Sequence, residues 1–251
     1  MAEPAHAVRL YRDDAEFLGA VVPFVAEGIE RREPVVVVAT SPHVEAIRTG
    51  LAERGWDPAR LEGQGRLLVV DADETLGAIL HDGVPSPDAF ERSAGALLDR
   101  AEATADGHPL RVFGEMVDLL CRRGDPQGAA VVEQLWNRLL ATRDFALLCT
   151  YRVDLFDAEV QASLLPAVCG AHTHVEVADD PRGFQDAVDA ALSETLGPGD
   201  AQKVWALVAD EIRDGRVPAA ELALMWVSTY MPRSASRVLE RARERYATAP
   251  G

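Results

Sequence analysis

The chain has 251 residues, 48% hydrophobic and 26% charged, a balance ordinary for a globular protein and enough for one large α/β domain with a smaller appendage. Its formal charge of −16 argues against a general nucleic-acid binder, because phosphate contacts need a basic face. Three cysteines, Cys121, Cys149 and Cys169, lie in apolar stretches without CxxC spacing and read as reduced thiols rather than a disulfide framework.

The first residues, MAEPAHAVRLYRDD, show no basic region followed by an apolar one, and no apolar run is long enough to cross a bilayer. The expectation is a cytoplasmic protein without membrane association. AVRLY (7–11) reads as a first strand, followed by a helix in which Phe17, Leu18, Val21, Val22, Val25 and Ile29 recur at helical spacing. EPVVVVAT (33–40) is a β-branched run of the kind that forms a strand covered on both faces. The next helix has Ser41 as its expected N-cap, Pro42 at N1 and Gly55 as its stop. GRLLVVDA (65–72) is a strand, DETLGAILHDG (73–83) a helix, and 87–107 a longer helix. PLRVFGE (109–115) starts the next unit, with two helices separated by RRGDP (122–126). The second of them puts Val132, Leu135, Trp136, Leu139 and Leu140 on one face. FALLCTYRV (145–153) is a fourth buried strand, and AHTHVEV (171–177) a terminal one.

Strands alternating with helices imply βαβ crossovers and a mainly parallel sheet flanked by helices. Residues 184–247 carry no strand pattern, and helices fit 184–196, 200–214, 218–231 and 233–247. The expected organisation is therefore an α/β domain over residues 1–178 and an all-helical appendage over 179–251.

No GxxxxGK[ST] or GxGxxG follows a strand, and no nucleophile elbow or HExxH is present. Neither an enzyme activity nor a cofactor is expected. In an open parallel sheet, ligands collect beyond the carboxyl ends of the strands. The residues there are Thr40 and Ser41, Asp71 and Asp73, Glu115, and Tyr151 with Arg152. Glu115 reads either as a site residue or as an acidic residue opening a helix. His172 and His174 are two apart and, on a strand, would share a face. With Cys169 they resemble a fragment of a metal site, but no fourth ligand stands at a convincing spacing. Histidines hydrogen-bonded at a strand start are the preferred reading, and no metal is expected.

LRVFGEMVDLLCRRGD, AAVVEQLWNRLLA, FALLCTYRVDLF and VCGAHTHV, in that order, resemble the MEDS domain, the methanogen, methylotroph and dichloromethane-regulator sensory family. The likeness covers about residues 6–177. It implies a fold like the RecA/KaiC ATPase core without its phosphate loop, and a non-enzymatic sensory role in bacterial signalling or transcriptional control. The implied partner is a small-molecule ligand or a regulatory protein, with a homo-oligomer through the C-terminal helices as a further expectation. The alternative is a degenerate RecA/KaiC-like protein that binds nucleotide without hydrolysing it. The resemblance also adds weight to Glu115, His172 and His174, which fall inside its motif blocks.

Overall fold

A computed structural model describes residues 6–177 and 179–248. The chain runs β1 (His6–Tyr11), α1 (Asp14–Glu30), β2 (Val35–Ala39), α2 (Ser41–Glu53), α3 (Pro58–Gly63), β3 (Leu67–Asp71) and α4 (Ala72–Ile79). There follow two short strands, β4 (Leu80–His81) and β5 (Val84–Pro85), then α5 (Pro87–Glu102), β6 (Leu110–Gly114), α6 (Met116–Arg122), α7 (Pro126–Leu140) and β7 (Phe145–Arg152). A π-helical stretch, Val160–Leu164, leads into α8 (Leu165–Ala171) and β8 (His174–Glu176). The remainder is helical: α9 (Pro181–Leu196), α10 (Pro198–Leu207), α11 (Ala209–Asp214), α12 (Ala219–Tyr230) and α13 (Pro232–Thr248).

The main sheet has the order β3-β2-β6-β7-β1-β8. β2 is parallel to β3 on one side and to β6 on the other, and β6 is parallel to β7. The run of valines in β2 follows from this placement. With strands on both edges and helices over both faces, Val35 to Val38 are all buried. Leaving β2, the chain turns outward to β3, whereas leaving β6 it turns the opposite way to β7. The carboxyl ends of β2 and β6 therefore flank a topological switch point, where connections part and leave a crevice. The α/β class and the C-terminal helices are as the sequence pattern indicates.

Two compact units share the chain: Met1–Arg9 with Asp13–Tyr151, and Leu10–Arg12 with Arg152–Gly251.

In the first unit α1 starts at an Asp13 cap, whose carboxylate accepts the Ala15 and Glu16 N–H groups at 3.0 Å. The helix packs closely on α2. A Cβ at Gly50 would stand 2.8 Å from Val22 Cγ2, so glycine is what permits the approach. Across the sheet, Trp136 of α7 is buried between Phe90 and Phe145, with ring centroids 5.0 and 6.2 Å away. Edge-on aromatic pairs of this kind add to plain area burial.

Three local assignments need correction. Thr40, not Ser41, holds the N-cap position of α2, and Pro42 moves to the second helical residue. Residues 80–85 form a small antiparallel hairpin rather than the end of a helix. Asp82 and Gly83 both have positive φ, 52° and 81°, the requirement of a tight type I′ turn. The last strand is shorter than 171–177: His172 ends α8, and only His174–Glu176 pair in the sheet.

In the second unit, Phe156, Phe184 and Tyr246 form an aromatic cluster with centroids 5.5–6.2 Å apart. α12 carries a fully buried carboxyl, Glu221, whose Oε1 accepts the Gln161 side-chain N–H at 2.7 Å. Glu221 Oε2 and Gln161 Oε1 are buried without a hydrogen-bond partner. Burial raises the Glu221 pKa from 4.5 to about 8, partly offset by the Gln161 bond.

Two outcomes are expected. Trp136→Ala should lower unfolding free energy in denaturant titrations by about 3–5 kcal/mol, through lost burial and the cavity left behind. For Glu221, the folded state holds a proton that the unfolded chain releases above about pH 4.5. Its contribution to stability should therefore fall as pH rises from about 4.5 to about 8 and be flat outside that window, on the order of 3–5 kcal/mol in all. Glu221→Gln, which cannot ionise, should flatten this part of the curve and be the more stable protein at pH 8. A variant with an unchanged pH profile would show that Glu221 is ionised in the fold.

Candidate functional site

The register of β2 with its neighbours sets Ala39 beside Asp71 and Val38 beside Gly114. The residues that follow those strands must therefore meet at one edge, and they do. Ser41 Oγ donates to Asp71 Oδ2 at 2.7 Å, and Asp71 Oδ1 accepts the Glu74 N–H at 3.0 Å as the cap of α4. These bonds, the Ser41 hydroxyl first, hold the Asp71 pKa below its ordinary value. Alongside, the Thr40 N–H donates to Glu115 Oε2 at 2.8 Å, with the Thr40 hydroxyl at 3.2 Å from the same oxygen.

Glu115 is fully buried. It stands at the N-cap position of α6, yet its side chain makes no capping bond to that helix. The carboxylate instead reaches across to the first turn of α2, where Thr40 N–H and His43 Nδ1 bind it, the latter at 2.8 Å. Arg122 Nη2 closes the other side at 3.1 Å from Oε1, while its Nε lies 3.2 Å from the buried Asp118. Arg122 thus bridges two buried carboxylates, with its own side chain 38% exposed. The His43 ring stacks on Phe17, centroids 3.9 Å apart, which fixes its orientation. A Cβ at Gly114 would meet nothing closer than Trp136 Nε1 at 3.9 Å, so the close approach of the two helices does not depend on this glycine.

This arrangement decides what Glu115 can do chemically. Both oxygens already accept bonds from a backbone N–H, a hydroxyl, an imidazole and a guanidinium, so no lone pair points at an open space as a general base requires. The carboxylate also fills the N-terminus of α2, the position at which a helix otherwise takes a foreign anion. Its geometry is that of a clasp between α2 and α6. The parts of the clasp that reach solvent are Arg122, the partly exposed Thr40 and, through a 13% exposed side chain, His43.

The other sequence-derived candidates lie elsewhere. Tyr151 is buried, its hydroxyl donating to Glu133 Oε1 at 2.7 Å, and burial followed by the Glu133 charge raises its pKa well above 10.0. Arg152 is exposed and donates to the Arg12 carbonyl at 3.2 Å. His172 and His174 belong to the second unit and do not share an environment. His172 is buried with Nδ1 2.6 Å from the Val168 carbonyl, whereas the His174 side chain is 43% exposed beside Glu176. Cys169, His172 and His174 do not form a three-ligand cluster among the described residues. Burial pushes the Cys169 thiol up to about 12.

Two members of the clasp, His43 and Arg122, were not singled out in the sequence. Both obey helical spacing: His43 is one turn beyond Thr40, and Arg122 two turns beyond Glu115.

The MEDS model, the methanogen/methylotroph, DcmR sensory domain, matches residues 5–167. The chain belongs to the MEDS family. That match takes in the whole clasp, from Thr40 to Arg122. No curated protein matches the chain. Among the described residues no helix is long and apolar enough to cross a membrane.

The clasp predicts a specific stability pattern. Glu115→Gln should cost about 1.5–3 kcal/mol, since an amide keeps the shape but turns two of its hydrogens toward groups that are themselves donors. Arg122→Ala should cost a comparable amount, because it takes the guanidinium away from two buried carboxylates, Glu115 and Asp118. A urea titration in which neither variant loses stability would contradict the clasp geometry.

Proposed function

We propose that this MEDS protein is a non-enzymatic sensor that reads a small molecule or a regulatory partner at the carboxyl edge of β3-β2-β6. The observation that carries the proposal is the Glu115 clasp, in which one buried carboxylate joins the start of α2 to the end of α6 through Thr40, His43 and Arg122. A ligand group that competes for the exposed face of Arg122 changes the bonds that hold two helices in register. That coupling gives a binding event a structural consequence, as a sensory role requires. The saturated state of Glu115 favours this over catalysis.

A degenerate nucleotide-binding protein is the competing reading. Against it stands the turn after β1, where Asp13 occupies the first N–H groups of α1 and Asp14 and Glu16 add negative charge. A polyphosphate there meets carboxylates instead of free donors and a lysine.

Native mass spectrometry of gently purified full-length protein provides the test. The proposal expects a retained small molecule or stoichiometric partner that disappears in a His43→Ala, Arg122→Ala double variant of near-unchanged secondary structure. Retention that ignores both substitutions would move the site elsewhere. Micromolar magnesium–ATP affinity in calorimetry would favour the nucleotide reading instead.

A further inference from the structure

A second buried polar cluster lies away from the clasp, between α7 and the strands it covers. On α7, Glu133 and Asn137 are four apart and share a face; on β7, Cys149 and Tyr151 are two apart and share a face. Packing α7 over β7, with the start of β1 alongside, brings these four side chains together with His6. His6, Glu133, Cys149 and Tyr151 are all buried.

We propose that His6 Nε2, Glu133 Oε2 and Cys149 Sγ form a binding site for a zinc ion. The three atoms make a triangle with edges of 3.2 Å between His6 and Glu133, 3.5 Å between His6 and Cys149, and 3.6 Å between Cys149 and Glu133. Zinc–nitrogen and zinc–oxygen bonds of about 2.0–2.1 Å and a zinc–sulfur bond of about 2.3 Å, at tetrahedral angles, separate N from O by about 3.3 Å and sulfur from either by about 3.5–3.6 Å. All three edges agree with those values, so no ligand has to move far to receive the ion.

The surroundings are arranged as they are around protein-bound zinc. His6 Nδ1 lies 2.9 Å from Asn137 Oδ1, a contact that places the ring proton on Nδ1 and leaves the Nε2 lone pair facing the triangle. Tyr151 donates to the outer oxygen of Glu133, Oε1, and so turns Oε2 inward. Each of these two ligands is thus oriented by a hydrogen bond from outside the site. Charge favours the same ion: a thiolate and a carboxylate neutralise a divalent cation, so the loaded site carries no net charge into the interior. A histidine, thiolate and carboxylate set suits zinc better than magnesium or calcium, which prefer oxygen ligands. The remaining tetrahedral position is left for a water or another donor.

The test uses full-length protein stripped of metal by a chelator and titrated with zinc and with cobalt(II). One equivalent of zinc should bind, and cobalt(II) should develop the intense visible bands of a tetrahedral site together with thiolate charge-transfer absorption. Cys149→Ser should abolish the charge-transfer band, while Cys121→Ser and Cys169→Ser should keep it. Asn137→Ala and Tyr151→Phe, which leave all three ligands in place, should each weaken zinc binding by about 10–100-fold. Should Cys149→Ser fail to fold, the wild-type cobalt spectrum still decides whether a thiolate is bound. Absence of stoichiometric metal, an octahedral cobalt spectrum, or binding that survives His6→Ala and Cys149→Ser together would overturn the assignment.

Discussion

A carboxylate shut away from water must be given its hydrogen bonds by the protein, and Glu115 imposes that requirement on the edge of the sheet. Leaving a buried ionised group unpaired costs several kcal/mol, so donors have to converge on it from wherever the chain allows. They come from the turn after β2 and from the far end of α6, two segments 75 and 7 residues away in sequence. Once Thr40, His43 and Arg122 are committed to Glu115, the start of α2 and the whole of α6 have fixed positions over the switch point. Ser41 is then aimed at Asp71, and the β3 edge joins the same network.

A second buried ion pair fixes the opposite end of β6. Arg111, at the start of the strand, donates to Glu33 at 2.7 Å and to Glu27 at 3.1 Å, and its guanidinium lies 4.7 Å over the Phe24 ring. A Cβ at Gly28 would come within 2.8 Å of Arg111 Cδ, so glycine is required where α1 passes the arginine stem. One strand of five residues is thus held at both ends by charge, with Val112 and Phe113 packed between. Such pairs contribute less to net stability than to uniqueness of arrangement, because their desolvation offsets most of the attraction. For a sensory domain, uniqueness at a switch point has its own use, since a ligand can act only on a difference between defined states.

The layout of strands and helices was legible in the sequence because it rests on period and composition. The valines of β2, the Trp136 face of α7 and the strandless stretch after 184 each report burial through local pattern alone. Local pattern also explains the misses. LHDGVP contains an Asp-Gly pair that suits a hairpin, yet the helical period of the preceding residues carried the helix through it. Ser41 beside Pro42 looks like a cap, but Thr40 is the residue that leaves the strand with extended backbone, φ −64° and ψ 150°. His172 and His174 show a strand's two-residue spacing, yet α8 runs to Ala171 and leaves one of them at a helix end.

Site chemistry was less legible, for a physical reason visible in two of the buried glutamates of the first unit, Glu115 and Glu133. Glu115 stood out because it interrupts an apolar run at a strand end. Glu133 lies inside an amphipathic helix, where a carboxylate at one position resembles any solvated residue. Its meaning comes from partners 127, 16 and 18 residues away, His6, Cys149 and Tyr151, which only the packing of α7 against β1 and β7 brings within reach. The environments of the two acids then separate their roles. Around Glu115 the partners include a guanidinium and a backbone N–H, groups that can only donate, and they leave the carboxylate complete as a clasp. Around Glu133 stand an imidazole and a thiol, each with a lone pair that can turn to a cation, at separations suited to a tetrahedral ion. Two carboxylates of equal burial are therefore fitted to different tasks, one to hold helices in place and the other to share a charge brought from outside.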